Sequence, residues 1–215
     1  MGTDSKDVAW HPEVVTGATL ATLQDLRDRT LLQGAYLAGG TALALHFGHR
    51  LSVDLDFFVS ELFDEEVMLQ RLQKSPGFSL VAKAPHTLHA NIQGTKVSFL
   101  GYEYPLLFST ALFAGVPVAD PRDIACMKIS AIASRGTKRD FIDLYLASQR
   151  FGLAELLGMF QRKYARTGYN RPHILKSLTY FDDAEKEPMP HMLVPLDWGA
   201  VKLFFKAEAR RLNGL

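Results

Sequence analysis

Apolar residues recur at helical spacing over residues 14–32 (VVTGATLATLQDLRDRTLL), which predicts a first helix. A short apolar run, residues 35–38 (AYLA), predicts a buried strand. Gly39-Gly40-Thr41 breaks it, and TALALHF continues as a helix. Residues 53–59 (VDLDFFV) begin in strict alternation, the period of a strand with one buried face, so Val53, Leu55 and Phe57 are expected inward. Residues 62–74 read as a helix. Three strand-like runs follow, separated by Pro76-Gly77, Pro85 and Gly94, and predict an antiparallel extension of the sheet. After Val118 the pattern is helical only. Asp120-Pro121 supplies an N-cap and a first helical position for a helix to about Ser134, stopping near Gly136. Thr137 caps a second helix over 138–149, and further helices are predicted over 153–166 and 197–212. Residues 182–195, with three prolines, read as an extended loop. This order predicts an α+β fold, with a small mixed sheet in residues 1–118 and a helical C-terminal lobe in residues 119–215.

Composition changes this picture little. In 215 residues, 47% are hydrophobic and 22% charged, an ordinary globular balance. No run approaches the roughly 18 apolar residues of a membrane helix, so no membrane partner is expected. MGTDSKDVAW has no basic region leading into an apolar run, so no signal peptide is expected. A single cysteine, Cys126, excludes an intramolecular disulfide and points to a reducing cytoplasm. The net charge of +1 is unevenly spread: 8 Lys/Arg against 13 Asp/Glu in residues 1–120, and 16 against 10 in residues 121–215. An acidic, metal-holding part beside a basic, phosphate-meeting part is one reading, and two solvated surfaces are the other.

The chemistry is concentrated in two short segments. Asp54 and Asp56 are two apart on a strand and point the same way. Two carboxylates on one face repel unless a cation sits between them, and Mg²⁺ takes carboxylate oxygens together with substrate phosphates. Gly39-Gly40 lets backbone approach a ligand closely, and the helix that follows offers N–H groups to an anion. Either segment alone is compatible with a solvated strand face or a plain turn. In this order they form the equipment of metal-assisted nucleotidyl transfer.

YLAGGTALALHFGHRLSVDLDFF resembles the first motif of the AbiEii-type nucleotidyltransferases, members of the polymerase-β superfamily and toxin halves of type IV toxin–antitoxin systems. Gly39, Gly40, Asp54 and Asp56 match the pattern, with Arg50 and Ser52 where this group has Arg and Ser or Thr. KISAIASRGTKRDFIDLYLA resembles a later helical motif through Lys128, Arg135, Asp140 and Asp143. The resemblance spans roughly residues 30–150. It implies a polymerase-β-like core and transfer of a nucleotide from an NTP, with Mg²⁺ or Mn²⁺ held by Asp54 and Asp56. It also implies a toxin role, with tRNA or another nucleic acid as acceptor and a cognate antitoxin as partner. By the same resemblance Gly39, Gly40, Thr41, Arg50, Ser52 and Arg135 meet the nucleotide, and Lys128 and Asp143 join the catalytic set.

Several residues carry a plainer reading beside this one. Lys128 and Arg135, seven apart, share a helix face and suit a triphosphate, though a lysine at a helix edge also snorkels. Asp140, three after Thr137, has capping-box spacing. Asp143 lies in the apolar run FIDLYL, where an unpaired carboxylate is costly, so it needs Lys128, Arg135 or Arg139 as a partner. The superfamily's third carboxylate is expected in TKVSFLGY, where Ser98 stands, with Glu103 beyond the strand. That departure leaves a second reading, a nucleotide-binding module of this fold with weak or no transfer. His46 with His49, and His86 with His89, lack a third ligand and read as non-metal residues. Cys126 reads as packing, and Tyr102, Tyr104 and Phe108 as core rather than base-stacking residues.

Overall fold

The structure is a computed structural model that describes residues 8–213; the first seven residues, on which the signal-peptide expectation falls, lie outside the described residues. The chain forms two compact units. The first runs to Pro105 and takes in Ser109–Asp120; the second comprises Leu106–Phe108 and the residues from Pro121 onward.

In the first unit a 3-10 turn, Pro12–Val14, precedes α1 (Gly17–Asp28). The predicted start at residue 14 is corrected to Gly17, because Thr16 is extended and its side chain accepts the Thr19 N–H as an N-cap. Then come β1 (Ala35–Ala38), α2 (Gly39–Phe47), β2 (Leu55–Val59) and α3 (Glu65–Leu72). Asp64 caps α3 by accepting the N–H groups of Glu66 and Val67. The three predicted runs are β3 (Ser79–Ala84), β4 (Thr87–Ile92) and β5 (Thr95–Gly101). β6 (Ala111–Phe113) and β7 (Val116–Val118) were not anticipated. The sheet order is β3-β4-β5-β2-β1-β7-β6. β2 runs parallel to β5 and β1 parallel to β7, while the other pairs are antiparallel, so the sheet is mixed as expected.

One face of this sheet is core. Leu55 and Phe57 of β2, Val97 and Phe99 of β5, and Leu88 and Ala90 of β4 are buried, with Leu23 and Leu26 of α1 also in the core. Phe57 and Phe99 are register partners with stacked rings 5.2 Å apart, and each buried ring contributes about 1.5–3 kcal/mol. The inward expectation for Val53 fails. It is 49% exposed, because the strand begins only at Leu55 and the alternation governs residues from there on.

The second unit is helical: α4 (Pro121–Ser134), α5 (Lys138–Phe151), α6 (Leu153–Lys163), α7 (Arg171–Ser177), α8 (Asp182–Glu185) and α9 (Trp198–Asn213). α7 is an addition to the predicted helices, and the loop expected from residue 182 opens with the short α8. The Phe141 ring sits 4.9 Å from Phe181 and 5.6 Å from Phe205 at the centre of this core. Asp123 explains why residues 106–108 belong here. Its carboxylate accepts the N–H groups of Leu107 and Phe108 and pairs with Lys163 at 2.8 Å, both side chains being fully buried. Arg122 stacks on the Phe108 ring, 3.5 Å from its centroid. Burial, aided by Asp123, pushes the Cys126 thiol up to about 12, so it stays protonated at neutral pH and acts as packing. Among the described residues no helix is long and apolar enough to cross a membrane.

Candidate active site

β1 ends at Ala38 and α2 begins at once with Gly39, whose φ is +69°. Only glycine takes that conformation without strain. It also lies against β2: a Cβ at Gly39 would stand 2.8 Å from Asp56 Oδ2. The residue before the helix is Ala38, which offers no capping side chain, so the first turn of α2 keeps N–H groups and the positive end of its dipole for another acceptor. A Cβ at Gly40 would collide with the Arg50 guanidinium, which is buried behind the turn and donates to the Leu51 carbonyl at 3.1 Å. Thr41 is buried as well. Its hydroxyl donates to the Asp54 carbonyl and lies 2.8 Å from Ser52 Oγ. The glycine turn is thus tied by side chains to the loop that delivers Asp54.

Asp56 lies on the half-exposed side of the β2 alternation, and Asp54, half-buried, immediately precedes the strand in the loop that Thr41 holds. Gly39, Gly40, Thr41, Arg50, Ser52, Asp54 and Asp56 are therefore brought together in the first unit. Gly39→Ala is expected to cost about 1–2 kcal/mol of backbone strain, besides pushing on the Asp56 carboxylate. A thermal melt of this variant equal to that of the parent chain would show the turn to be less constrained than described.

The strand register adds two residues to this face. Asp56 is the Cα partner of Ala38 on one side and of Ser98 on the other, and Ser98 is in turn the partner of His89. Register partners share a face, so Asp56, Ser98 and His89 form a row across β2, β5 and β4. His89 Nδ1 is 3.0 Å from Ser98 Oγ. Ser98 stands on the expected strand, and Glu103 lies past the end of β5. In the sequence His89 reads only as a non-metal residue. Yet the two-residue turn Gln93-Gly94, with φ of +51° and +82°, is of the hairpin type that fixes pairing, and it sets 89 opposite 98. Next to this row Phe58 meets Tyr36 and Tyr102, with ring centroids 6.0 and 5.1 Å apart, and Tyr102 meets Tyr104 at 5.0 Å. These aromatics pack on one another, with Tyr102 and Tyr104 half-buried rather than in the core.

Lys128, Arg135 and Asp143 belong to the helical unit. Lys128 reaches both Asp140 and Asp143 at 2.8 Å, with its side chain 9% exposed. Asp143 thus has the cationic partner its apolar setting demanded. Asp140 stands at capping-box spacing: its N–H donates to Thr137 Oγ1, which caps α5, and its carboxylate accepts from the Thr137 hydroxyl at 2.6 Å. It also holds Lys128, a second role that spacing did not reveal. Burial opposes ionisation of Asp140, but the Lys128 charge and hydrogen bond, Thr137 and Arg135 outweigh it and lower its pKa. Arg135 is 69% exposed, with Nε 3.5 Å from Asp140.

A match to the family described as "Nucleotidyl transferase AbiEii toxin, Type IV TA system" covers residues 21–77 and 98–211. A protein of Aquifex aeolicus (strain VF5), described as uncharacterized, is 38% identical over 181 residues, 81% of this chain and 86% of its own. Among solved structures, the nucleotidyltransferase toxin MenT4 of Mycobacterium tuberculosis H37Rv is similar with a TM-score of 0.57 and 18% identity, over 91% of this chain and 84% of its own. ANT(2″)-Ia, solved with adenylyl-2″-tobramycin, is similar with a TM-score of 0.53 and 14% identity, over 71% of this chain and all of its own. At these identities the likeness is one of fold, and the fold is that of the polymerase-β-like nucleotidyltransferases. The chain belongs to the AbiEii nucleotidyltransferase toxin family of type IV toxin–antitoxin systems.

Proposed function

We propose that the chain is a Mg²⁺-dependent nucleotidyltransferase that moves a nucleotide from an NTP to tRNA, acting as a toxin in the cytoplasm beside a cognate antitoxin. Residues 1–118 are its nucleotidyltransferase core and 119–215 its helical lobe. The observation that carries this reading is the approach of Gly39, at the uncapped start of α2, to the Asp56 carboxylate. A phosphate received by the turn is thereby next to a carboxylate that holds metal.

The donor set fits Mg²⁺, which takes one or two carboxylates and fills its octahedron with phosphate oxygens and water. Asp54 and Asp56 would hold it, and a third protein carboxylate is not needed for that. Held by Asp54 and Asp56, the ion would supply positive charge to the triphosphate and to its pyrophosphate leaving group. Mn²⁺ suits the same oxygens with a less strict geometry. Gly39, Gly40 and Thr41 orient the phosphates through backbone N–H groups. Arg50 supplies a fixed positive charge from behind the turn, and Ser52 holds Thr41. Arg135 is the exposed cation of the helical motif, available to an anion. Lys128 and Asp143, with Asp140, fix α4 against α5.

Incubation with each α-labelled NTP, Mg²⁺ and total tRNA tests this reading. Label on tRNA supports it, and no label on any nucleic acid contradicts it. The Ser98 register supports the second reading, a binding module with weak transfer, since no carboxylate follows Asp56 across the sheet. Ser98→Asp is expected to tighten metal-dependent NTP binding roughly 10-fold, because ligand charge sets affinity in such sites. Calorimetry showing unchanged affinity would mean that position 98 does not face the metal.

A further inference from the structure

The row Asp56–Ser98–His89 places a hydrogen-bonded serine and histidine beside the proposed metal-holding carboxylate. We propose that His89, acting through Ser98, accepts the proton of the acceptor hydroxyl during nucleotidyl transfer. This rests on the transferase reading above.

Three observations carry it. Ser98 is the direct neighbour of Asp56 on the parallel strand β5. His89 is the partner of Ser98 on β4, and its Nδ1 lies 3.0 Å from Ser98 Oγ, within reach of proton transfer. Both side chains are half-buried on the face that carries Asp56, while Leu88, Ala90, Val97 and Phe99 fill the opposite one. Two polar residues are therefore presented on the side of the sheet where the chemistry is placed.

The acceptor oxygen bonds to the α-phosphorus, and the bond from that phosphorus to the bridging oxygen breaks. Pyrophosphate leaves with the electron pair. The acceptor's proton passes to Ser98 Oγ as the Ser98 proton passes to His89 Nδ1. This requires the tautomer with its proton on Nε2, so that Ser98 donates and Nδ1 accepts. His89 is thus a proton-accepting positioning partner, with Ser98 as the group that touches the acceptor.

Transfer by the full chain is measured with α-labelled NTP, Mg²⁺ and total tRNA. His89→Gln keeps a hydrogen-bonding side chain but cannot take up the proton. Its kcat is expected to fall about 100-fold or more, the size of a general-base contribution, with KM for NTP little changed. Ser98→Ala, which breaks the relay from the other side, is expected to give the same loss. Imidazole added to His89→Ala should restore part of the rate. In Ser98→Asp the new carboxylate takes the proton itself, so adding His89→Gln there should cost nothing more. A purely structural pair would instead lower the melting temperature and leave kcat and imidazole dependence flat. Parent-level transfer by His89→Gln or Ser98→Ala overturns this proposal alone. Parent chain that transfers nothing overturns the transferase reading with it.

Discussion

Lys128→Met is expected to lower the unfolding free energy by about 3–5 kcal/mol at neutral pH, the usual cost of removing one partner from a buried ionic group. Lys128 is the cation between two carboxylates, Asp140 and Asp143, that are 3% and 0% exposed. Without it, two buried negative charges face each other. Asp143→Ala should cost less, because Lys128 keeps Asp140. The acid side has a definite sign. Asp140 has a lowered pKa in the native chain, so its contribution is present above the ordinary carboxylate value, about 3.9, and is lost as pH falls below it. In Lys128→Met the same carboxyls are expected to titrate high, so protonation stabilises that variant as pH falls. The gap between the two proteins should therefore narrow toward pH 4. Denaturant melts across this range check it, and a gap that stays constant would mean the triad carries no linked charge.

Asp56→Asn is expected to reduce transfer by roughly 1,000-fold, about 4 kcal/mol of transition-state stabilisation, as befits loss of a metal-holding charge. The fold should hardly notice. Asp56 is half-exposed, and the substitution is isosteric beside Gly39. NTP binding in the presence of Mg²⁺ should weaken in both Asp54→Asn and Asp56→Asn. Unchanged transfer by Asp56→Asn, measured at saturating NTP, would remove this carboxylate from the mechanism.

Much of the site was legible because it is local. A glycine turn between an apolar run and a helix, followed by an alternating hDhDh, reads directly as strand, turn, helix and strand. The same holds for the capping box at Thr137, where three residues suffice. What stayed hidden depends on pairing between distant segments. Lys163 and Asp123 are 40 residues apart, and neither looks buried in sequence. Asp140 was read for its cap and not for the lysine one helix away. β6 and β7 are three residues each, one of them centred on Pro117, too short for periodicity to register. α7 begins Arg-Pro-His, with polar side chains that mask the buried Ile174 and Leu175. His89 is the instructive case: its neighbours suggest nothing, yet the Gln93-Gly94 turn already implied its partner.

If the Asp54–Asp56 site splits an NTP and transfers its nucleotide, pyrophosphate release and nucleotide incorporation are coupled. The most direct measurement follows pyrophosphate release and label incorporation from one α-labelled NTP in one reaction containing Mg²⁺ and total tRNA. One pyrophosphate is expected per nucleotide incorporated, with both signals lost together in Asp56→Asn. Binding of NTP without pyrophosphate release, or release that persists in Asp56→Asn, would contradict it.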